Sequence, residues 1–303
     1  MAKQAGGWDP NRFGIFDPEQ KKILKDRKAF ISQHKEVIIG KEILIKDLGI
    51  LLQLTTRFKH TKLTLYSIIG PQLGWRTVYI IEYLGPILIH LGFPLLRPYI
   101  YSHPTTSIAP LSNSQLLSMS LIVLHFLKRE YETVFVHRFS LSTMPARNIF
   151  KNCAHYWLLS GLYIAYFIYA PSSYTALSSP KIDYLNIAGV ALYLFGELSN
   201  LKTHLTLSNL RSPGGTERGI PQGYGFSMVT CPNYFFETLA WIGMILVTKS
   251  LSTVIFAIVG TAQMQQWAVK KEKQYRVDFG DKYKKKRNVL FPTPGAFIKE
   301  LTG

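Results

Sequence analysis

Cysteine is nearly absent: Cys153 and Cys231 are the only two in 303 residues. Both fall on the side read below as cytosolic, where no structural disulfide is expected, and no Cys/His spacing fits a zinc site. No G-x-G-x-x-G follows a strand-like run and no Walker A motif occurs, so neither dinucleotide nor P-loop binding of those kinds is supported. No H-x-x-H-H cluster appears, which argues against di-iron desaturase or hydroxylase chemistry. The first residues, MAKQAGGWDPN, lack the apolar run of a cleavable signal peptide. No Asn-x-Ser/Thr acceptor occurs, so glycosylation marks no side of the chain. Acidic residues are also scarce, 18 against 35 Lys and Arg, for a net charge of +17.

What the chain does have is apolar residues in long blocks separated by basic loops. Measured against the roughly 17–25 residues of a spanning helix, the blocks are Thr77–Arg97, Gln115–Leu127, Cys153–Pro171, Ile182–Leu201, Tyr234–Thr248 and Leu251–Val269. The second and fifth are short. The charge could suggest nucleic acid, but its placement points to a membrane surface and no nucleic-acid partner is expected. Lys128, Arg129, Arg138, Arg147 and Lys151 follow the second block, and nine Lys and Arg between Lys270 and Arg287 follow the sixth. The Pro171–Pro180 loop carries no charge. The positive-inside rule then places both termini, the 128–153 loop and the 202–232 loop in the cytosol. The expected fold is an all-α polytopic membrane protein with about six transmembrane helices.

Residues 1–49 read as a soluble cytosolic region, with a short surface helix over Glu19–Lys28 and a loosely alternating strand in Val37–Gly49. Residues 50–73 read as an atypical insertion. Its apolar residues are broken by Arg57, Lys59, His60 and Lys62, so Leu52 and Leu54 suit an interface better than a span. Residues 74–303 form the membrane domain with its basic tail.

Polar residues inside apolar segments are costly unless they are paired, and they mark function by default. Residues 209–241, NLRSPGGTERGIPQGYGFSMVTCPNYFFETLAW, run from a basic, glycine-rich loop into the fifth block, with Asn233, Tyr234 and Glu237 at its mouth. Asn233 and Glu237 share a helical face. His125, Lys128, Arg129 and Glu132 share another, at the end of the second block. That spacing fits either a phosphate- or oxyanion-receiving surface or plain interfacial anchoring. Glu197, Asn200 and His204 form a third face, and three hydrogen-bonding groups there favour a pocket. Glu82 lies inside the first block, protonated, paired, facing a cavity or snorkelling to water. Tyr275, Asp281 and Tyr283 stand among the tail lysines, suited either to a nucleotide or to solvent.

The stretches HFLKREYETVFVHRFSLSTMPARNIFKNC and GYGFSMVTCPNYFFETLAWIG resemble the trans-2-enoyl-CoA reductases of very-long-chain fatty acid elongation, in the steroid 5α-reductase superfamily. The likeness covers roughly residues 71–292. It implies an endoplasmic reticulum membrane enzyme that uses NADPH from the cytosol to reduce a very-long-chain trans-2-enoyl-CoA. Its expected partners are the lipid bilayer and the other elongation enzymes: condensing enzyme, ketoreductase and dehydratase. By the same resemblance, Lys128 and Tyr234 match the catalytic pair and Glu82 matches a catalytic glutamate of the steroid reductases. Asn200, His204, Arg211, Asn233, Glu237, Tyr275 and Tyr283 match positions lining the dinucleotide. No metal is expected. Phe126 stands where the steroid enzymes carry a tyrosine, which leaves Tyr234 as the proton donor. Two features depart from the family. Residues 1–49 are too short for a whole ubiquitin-like domain and read as a remnant of one. Residues 50–70 separate Asp47-Leu48-Gly49 from Gly74-Trp75, either as an insertion or as a retained non-coding stretch. The other readings are a steroid or polyprenol reductase, or a non-catalytic scaffold of the elongation complex.

Overall fold

The computed structural model describes residues 13–17, 22–23, 43–47, 50–56, 71–101, 108–139, 143–177, 183–212, 215 and 217–302. The chain divides into two compact units, residues 1–75 with 141–148, and residues 76–140 with 149–303.

The first unit holds the strands. β1 (Phe13–Asp17), β2 (Lys22–Ile23), β3 (Ile43–Asp47) and β4 (Ile50–Thr56) form one antiparallel sheet in the order β2-β1-β3-β4. Ile15 pairs with Ile45, and Ile45 with Leu54. The strand expected within Val37–Gly49 is present as β3. The helix expected over Glu19–Lys28 is not what Lys22 and Ile23 form, because they pair with β1. Cross-strand hydrogen bonding there overrides a weak helical tendency in a polar run. Leu52 and Leu54, read as interfacial, lie in β4, whose β-compatible ILLQLTT precedes the charges of 57–62; residues 57–70 lie outside the described residues. A second ribbon joins β5 (Gln72–Gly74) to β6 (Thr143–Pro145), with Leu73 opposite Met144. The all-α expectation is corrected to this extent.

The second unit is helical. α1 spans Trp75–Ile100, two residues before and three beyond the expected block, and contains Pro86, Pro94 and Pro98. α2 (Asn113–Tyr131) starts at a capping box: Ser112 Oγ accepts from Gln115 N (3.1 Å) and Gln115 Oε1 accepts from Ser112 N (3.0 Å). Its end widens into a π-helical turn, Glu132–Val136, closed by His137 N to Glu132 O at 2.7 Å. Such turns are frequent at functional sites, and here the turn buries Glu132 completely. α3 (Asn148–Cys153) continues through the wide turns of Ala154–Tyr163 into α4 (Ile164–Ile168). α5 (Tyr184–Asn209), α6 (Pro232–Thr248), α7 (Leu251–Phe279) and α8 (Pro294–Thr302) complete the unit.

Helices lie on all six expected blocks. Among the described residues one of them, α1, is long and apolar enough to cross a membrane by length and composition. α5 and α6 pack in close contact because neither Gly196 nor Gly243 has a side chain. A Cβ on Gly196 would lie 2.5 Å from Ala240 N, and one on Gly243 would lie 2.5 Å from Tyr193 N. That approach sets the Glu197–Asn200 stretch of α5 against the first turns of α6. An apolar core of Tyr83, Ile122, Phe126, Ile164, Tyr193 and Trp241 lies beside it.

Candidate active site

Three helices each contribute a polar face, and the faces interlock. From α2, Lys128 Nζ donates to Asn200 Oδ1 (2.5 Å) and pairs with Glu132 Oε1 (3.1 Å) and Glu197 Oε2 (3.0 Å). His125 Nδ1 meets Glu197 Oε1 at 2.5 Å, and its Nε2 faces Glu237 Oε1 at 3.3 Å. From α5, Asn200 Nδ2 donates to the Asn233 carbonyl (2.9 Å) and to Glu237 Oε2 (3.1 Å). Arg129 Nη1 donates to Glu132 Oε2 (2.6 Å), and its Nη2 donates to the Tyr83 hydroxyl (3.0 Å). His204 Nδ1 lies 3.1 Å from Glu132 Oε1 and 3.3 Å from Arg129 Nη1. His125, Glu132, Glu197, Asn200, His204 and Asn233 are all buried.

The charges within this cluster shape one another. Burial works to raise the Glu132 carboxyl, but His204, Arg129 and Lys128 overcome it and hold the group well below the usual carboxylate range. Burial pushes His204 down, Glu132 pulls it up, and Arg129 and Lys128 push it down again, so the net shift is downward. Glu132, His137 and His204 could each offer one ligand atom to a metal, all within 4.8 Å. Arg129 and Lys128 already stand on that carboxylate, and like-charge repulsion disfavours a metal cation there.

Tyr234 sits at the third position of α6. Its ring lies 6.2 Å from that of Trp267, and its hydroxyl forms no hydrogen bond among the described residues. Lys128 touches Asn200 and two carboxylates rather than Tyr234. Glu82 is buried and accepts from Asn152 Nδ2 at 2.7 Å, separate from the cluster. Phe126 is fully buried between His125, Tyr156 and Trp241.

Arg211, Tyr275 and Tyr283 gather elsewhere. Arg211 donates only to main-chain carbonyls, those of Arg138 and Glu217, and forms no ion pair among the described residues. Lys271 lies over the Tyr275 ring at 5.3 Å. Its pKa is pushed down by burial, with the charges of Arg211 and Arg218 adding to the shift and Cys231 and Asp278 opposing it. Tyr283 donates to Glu272 Oε2 (2.5 Å), which also receives the Thr230 hydroxyl (2.6 Å). That hydroxyl ties the tail to the α6 entrance. At the same entrance, burial pushes the Cys231 thiol up to about 12.

Asn200, His204, Asn233, Glu237 and Lys128 therefore come together, while Glu82, Arg211, Tyr275 and Tyr283 do not join their network. Sequence reasoning placed Glu132, Glu197 and His125 on polar faces without assigning them roles. It missed Arg129's bond to Tyr83 and the Glu272 anchor altogether. A glutamate within the run of nine lysines and arginines was the one available sign of the latter.

The family described as 3-oxo-5-alpha-steroid 4-dehydrogenase matches residues 142–294, and the matched stretch includes α5, α6 and α7 with their polar faces. The chain belongs to that family. A Schizosaccharomyces pombe protein named for enoyl reduction is 48% identical over 248 residues, 78% of this chain and 81% of its own length. The very-long-chain enoyl-CoA reductase of Dictyostelium discoideum is 44% identical over 224 residues, 74% and 71% of the two chains. A mouse trans-2,3-enoyl-CoA reductase-like protein is 34% identical over 236 residues, 76% and 64%. The resemblance read from HFLKREYE and CPNY is thus borne out. Family and relatives together make the protein an oxidoreductase.

Proposed function

We propose that the protein reduces a very-long-chain trans-2-enoyl-CoA to the saturated acyl-CoA with NADPH, the last step of the elongation cycle, in the endoplasmic reticulum membrane with both termini cytosolic. One observation carries the reading. Polar faces from α2, α5 and α6 lock together at the turn of α6 that carries Tyr234, whose hydroxyl forms no hydrogen bond among the described residues.

The residues fit a phosphorylated dinucleotide. Arg211 and Lys271 form no ion pair among the described residues, and Lys271 stands over the Tyr275 ring. Such a set suits phosphate, and a guanidinium grips it in bidentate fashion. When bound, the nicotinamide supplies hydride to the enoyl β-carbon. The protein then supplies the proton. Tyr234 Oη–H donates to the α-carbon as the enolate collapses, a general-acid contribution of roughly 10²–10⁴-fold. By the resemblance, Lys128 and Tyr234 form the catalytic pair. With its ammonium committed to Glu132, Glu197 and Asn200, Lys128 acts instead through Asn200, whose amide holds the Asn233 carbonyl one residue before Tyr234. Glu82, which accepts from Asn152, stands on the α1 side as a second polar group offered to the reaction. Exposed Leu84, Leu88, Leu91 and Leu95 on α1 suit the bilayer. The condensing enzyme, ketoreductase and dehydratase of elongation are the proposed assembly partners.

The test is oxidation of NADPH by purified protein in detergent, with a long-chain trans-2-enoyl-CoA and with a steroid enone offered separately. Turnover with the thioester and not the enone is expected. Turnover with the enone alone supports a steroid reductase instead, and no oxidation with either overturns the reading.

A further inference from the structure

Glu132 and Glu197 are buried and Glu237 is partly so, three carboxylates in one cluster, and Lys128 and Arg129 supply only two fixed cations. An uncompensated charge at such a site is strongly disfavoured, so a histidine is the natural third cation. Two histidines come within 3.3 Å of these carboxylates, and they differ in what they face. His204 Nδ1 lies between the Glu132 carboxylate and the Arg129 guanidinium, so a proton there meets a cation at 3.3 Å. His125 has a carboxylate on each nitrogen, Glu197 on Nδ1 and Glu237 on Nε2. A neutral imidazole has one N–H and can donate to one carboxylate only; the imidazolium donates to both.

We infer that His125 holds the third positive charge and acts as a positioning residue: its imidazolium bridges Glu197 to Glu237, and Glu237 in turn fixes Asn200 against the Asn233 carbonyl at the turn that carries Tyr234. The groups facing it are Glu197 and Tyr193 from α5, Glu237 from α6, and Lys128 one turn along α2. The Tyr193 hydroxyl donates to the Leu121 carbonyl at 3.0 Å and does not compete for the proton. Trp241 and Phe126 close the remaining sides, with ring centroids at 5.1 and 4.9 Å, and keep water from the ring. Loss of the proton leaves two carboxylates facing one donor, so Glu237 is released and the Asn200–Asn233 contact loosens. The positioning role rests on the reductase reading; the location of the charge does not.

Two measurements test it. Histidine-selective ¹⁵N spectra of the protein in detergent micelles, with His125→Gln for assignment, report the charge. Both ring nitrogens of His125 are expected at imidazolium positions at pH 8, and a neutral pattern there overturns the assignment. NADPH affinity measured against pH then reports the positioning role. Wild type is expected to lose affinity along an alkaline limb. Glu197→Gln moves that limb to lower pH because one of the two holding carboxylates is gone. His125→Gln weakens binding about tenfold and removes the limb. Equal weakening at every pH in all variants means a packing role only and overturns the proposal. If wild type does not bind NADPH at all, the reductase reading fails and the positioning role with it, while the spectrum still decides where the charge sits.

Discussion

Arg97 and Lys128 are both basic side chains drawn into the helical unit, one late in α1 and the other late in α2, and their partners differ in kind. Arg97 donates to the main-chain carbonyls of Tyr169 and Ala109, each at 2.9 Å. Beside it, His90 bonds the Tyr169 hydroxyl (2.7 Å) and the Ser160 carbonyl (2.9 Å), and Gln115 donates to the Ile168 carbonyl (3.0 Å) and Ser173 Oγ (3.1 Å). Among the described residues no carboxylate takes part, and every one of these bonds fastens one chain segment to another. Around Lys128 the partners are side-chain carboxylates and an amide from two further helices. Main-chain carbonyls cannot change charge, so the Arg97 end is a fastening. Carboxylates can, so the Lys128 end, where they also hold two histidines, can respond to a charged ligand or to pH.

That contrast can be broken from either side. The largest effect is expected at Glu132, where Glu132→Gln leaves Arg129 and Lys128 short of a counter-charge. Breaking a buried pair costs about 3–5 kcal/mol, read as a fall in melting temperature in detergent. The pH dependence follows from the sign of the shift. The folded pKa lies below the ordinary 4.5, so the stabilisation is complete above that value and is lost as pH falls through the depressed folded value. Acid melting curves of wild type and variant should converge only at strongly acidic pH; a constant gap down through the acid range contradicts the pairing.

Tyr234→Phe should leave folding and NADPH binding in place and lower turnover on the order of 10²-fold or more. Activity within a few-fold of wild type removes the tyrosine from the proposed chemistry. At the fastening end, Gln115→Leu should cost about 1–3 kcal/mol of stability through unsatisfied carbonyls and the broken capping box. Turnover per folded molecule should hold there, and a specific loss of turnover would erase the distinction between the two ends. The smallest expected change is Arg211→Ala, which should raise KM for NADPH about tenfold and KM for NADH much less. Equal effects on both cofactors show that Arg211 does not read the extra phosphate.

Much of the candidate site was legible as helical faces. His125, Lys128, Arg129 and Glu132 fall on one, Glu197, Asn200 and His204 on a second, and Asn233 with Glu237 on a third. These follow from spacing alone, because 3.6 residues per turn fixes which side chains share a side. The placement of helices on all six apolar blocks was legible for a similar reason. The strand at Lys22–Ile23 was not, since a two-residue pairing is decided by its partner β1 and leaves little local pattern.

Which face meets which is a different kind of question. Gly196 and Gly243 let α5 and α6 approach closely enough for Asn200 to reach the Asn233 carbonyl, and no periodicity announces that contact. The commitment of Lys128 to two carboxylates, the separation of Glu82 from the cluster and the use of the Tyr283 hydroxyl as a tail anchor on Glu272 are equally tertiary. The residue types and their helical faces are local properties of this chain. The pairing of charges depends on distances of about 3 Å between residues some seventy positions apart, and packing alone sets those distances.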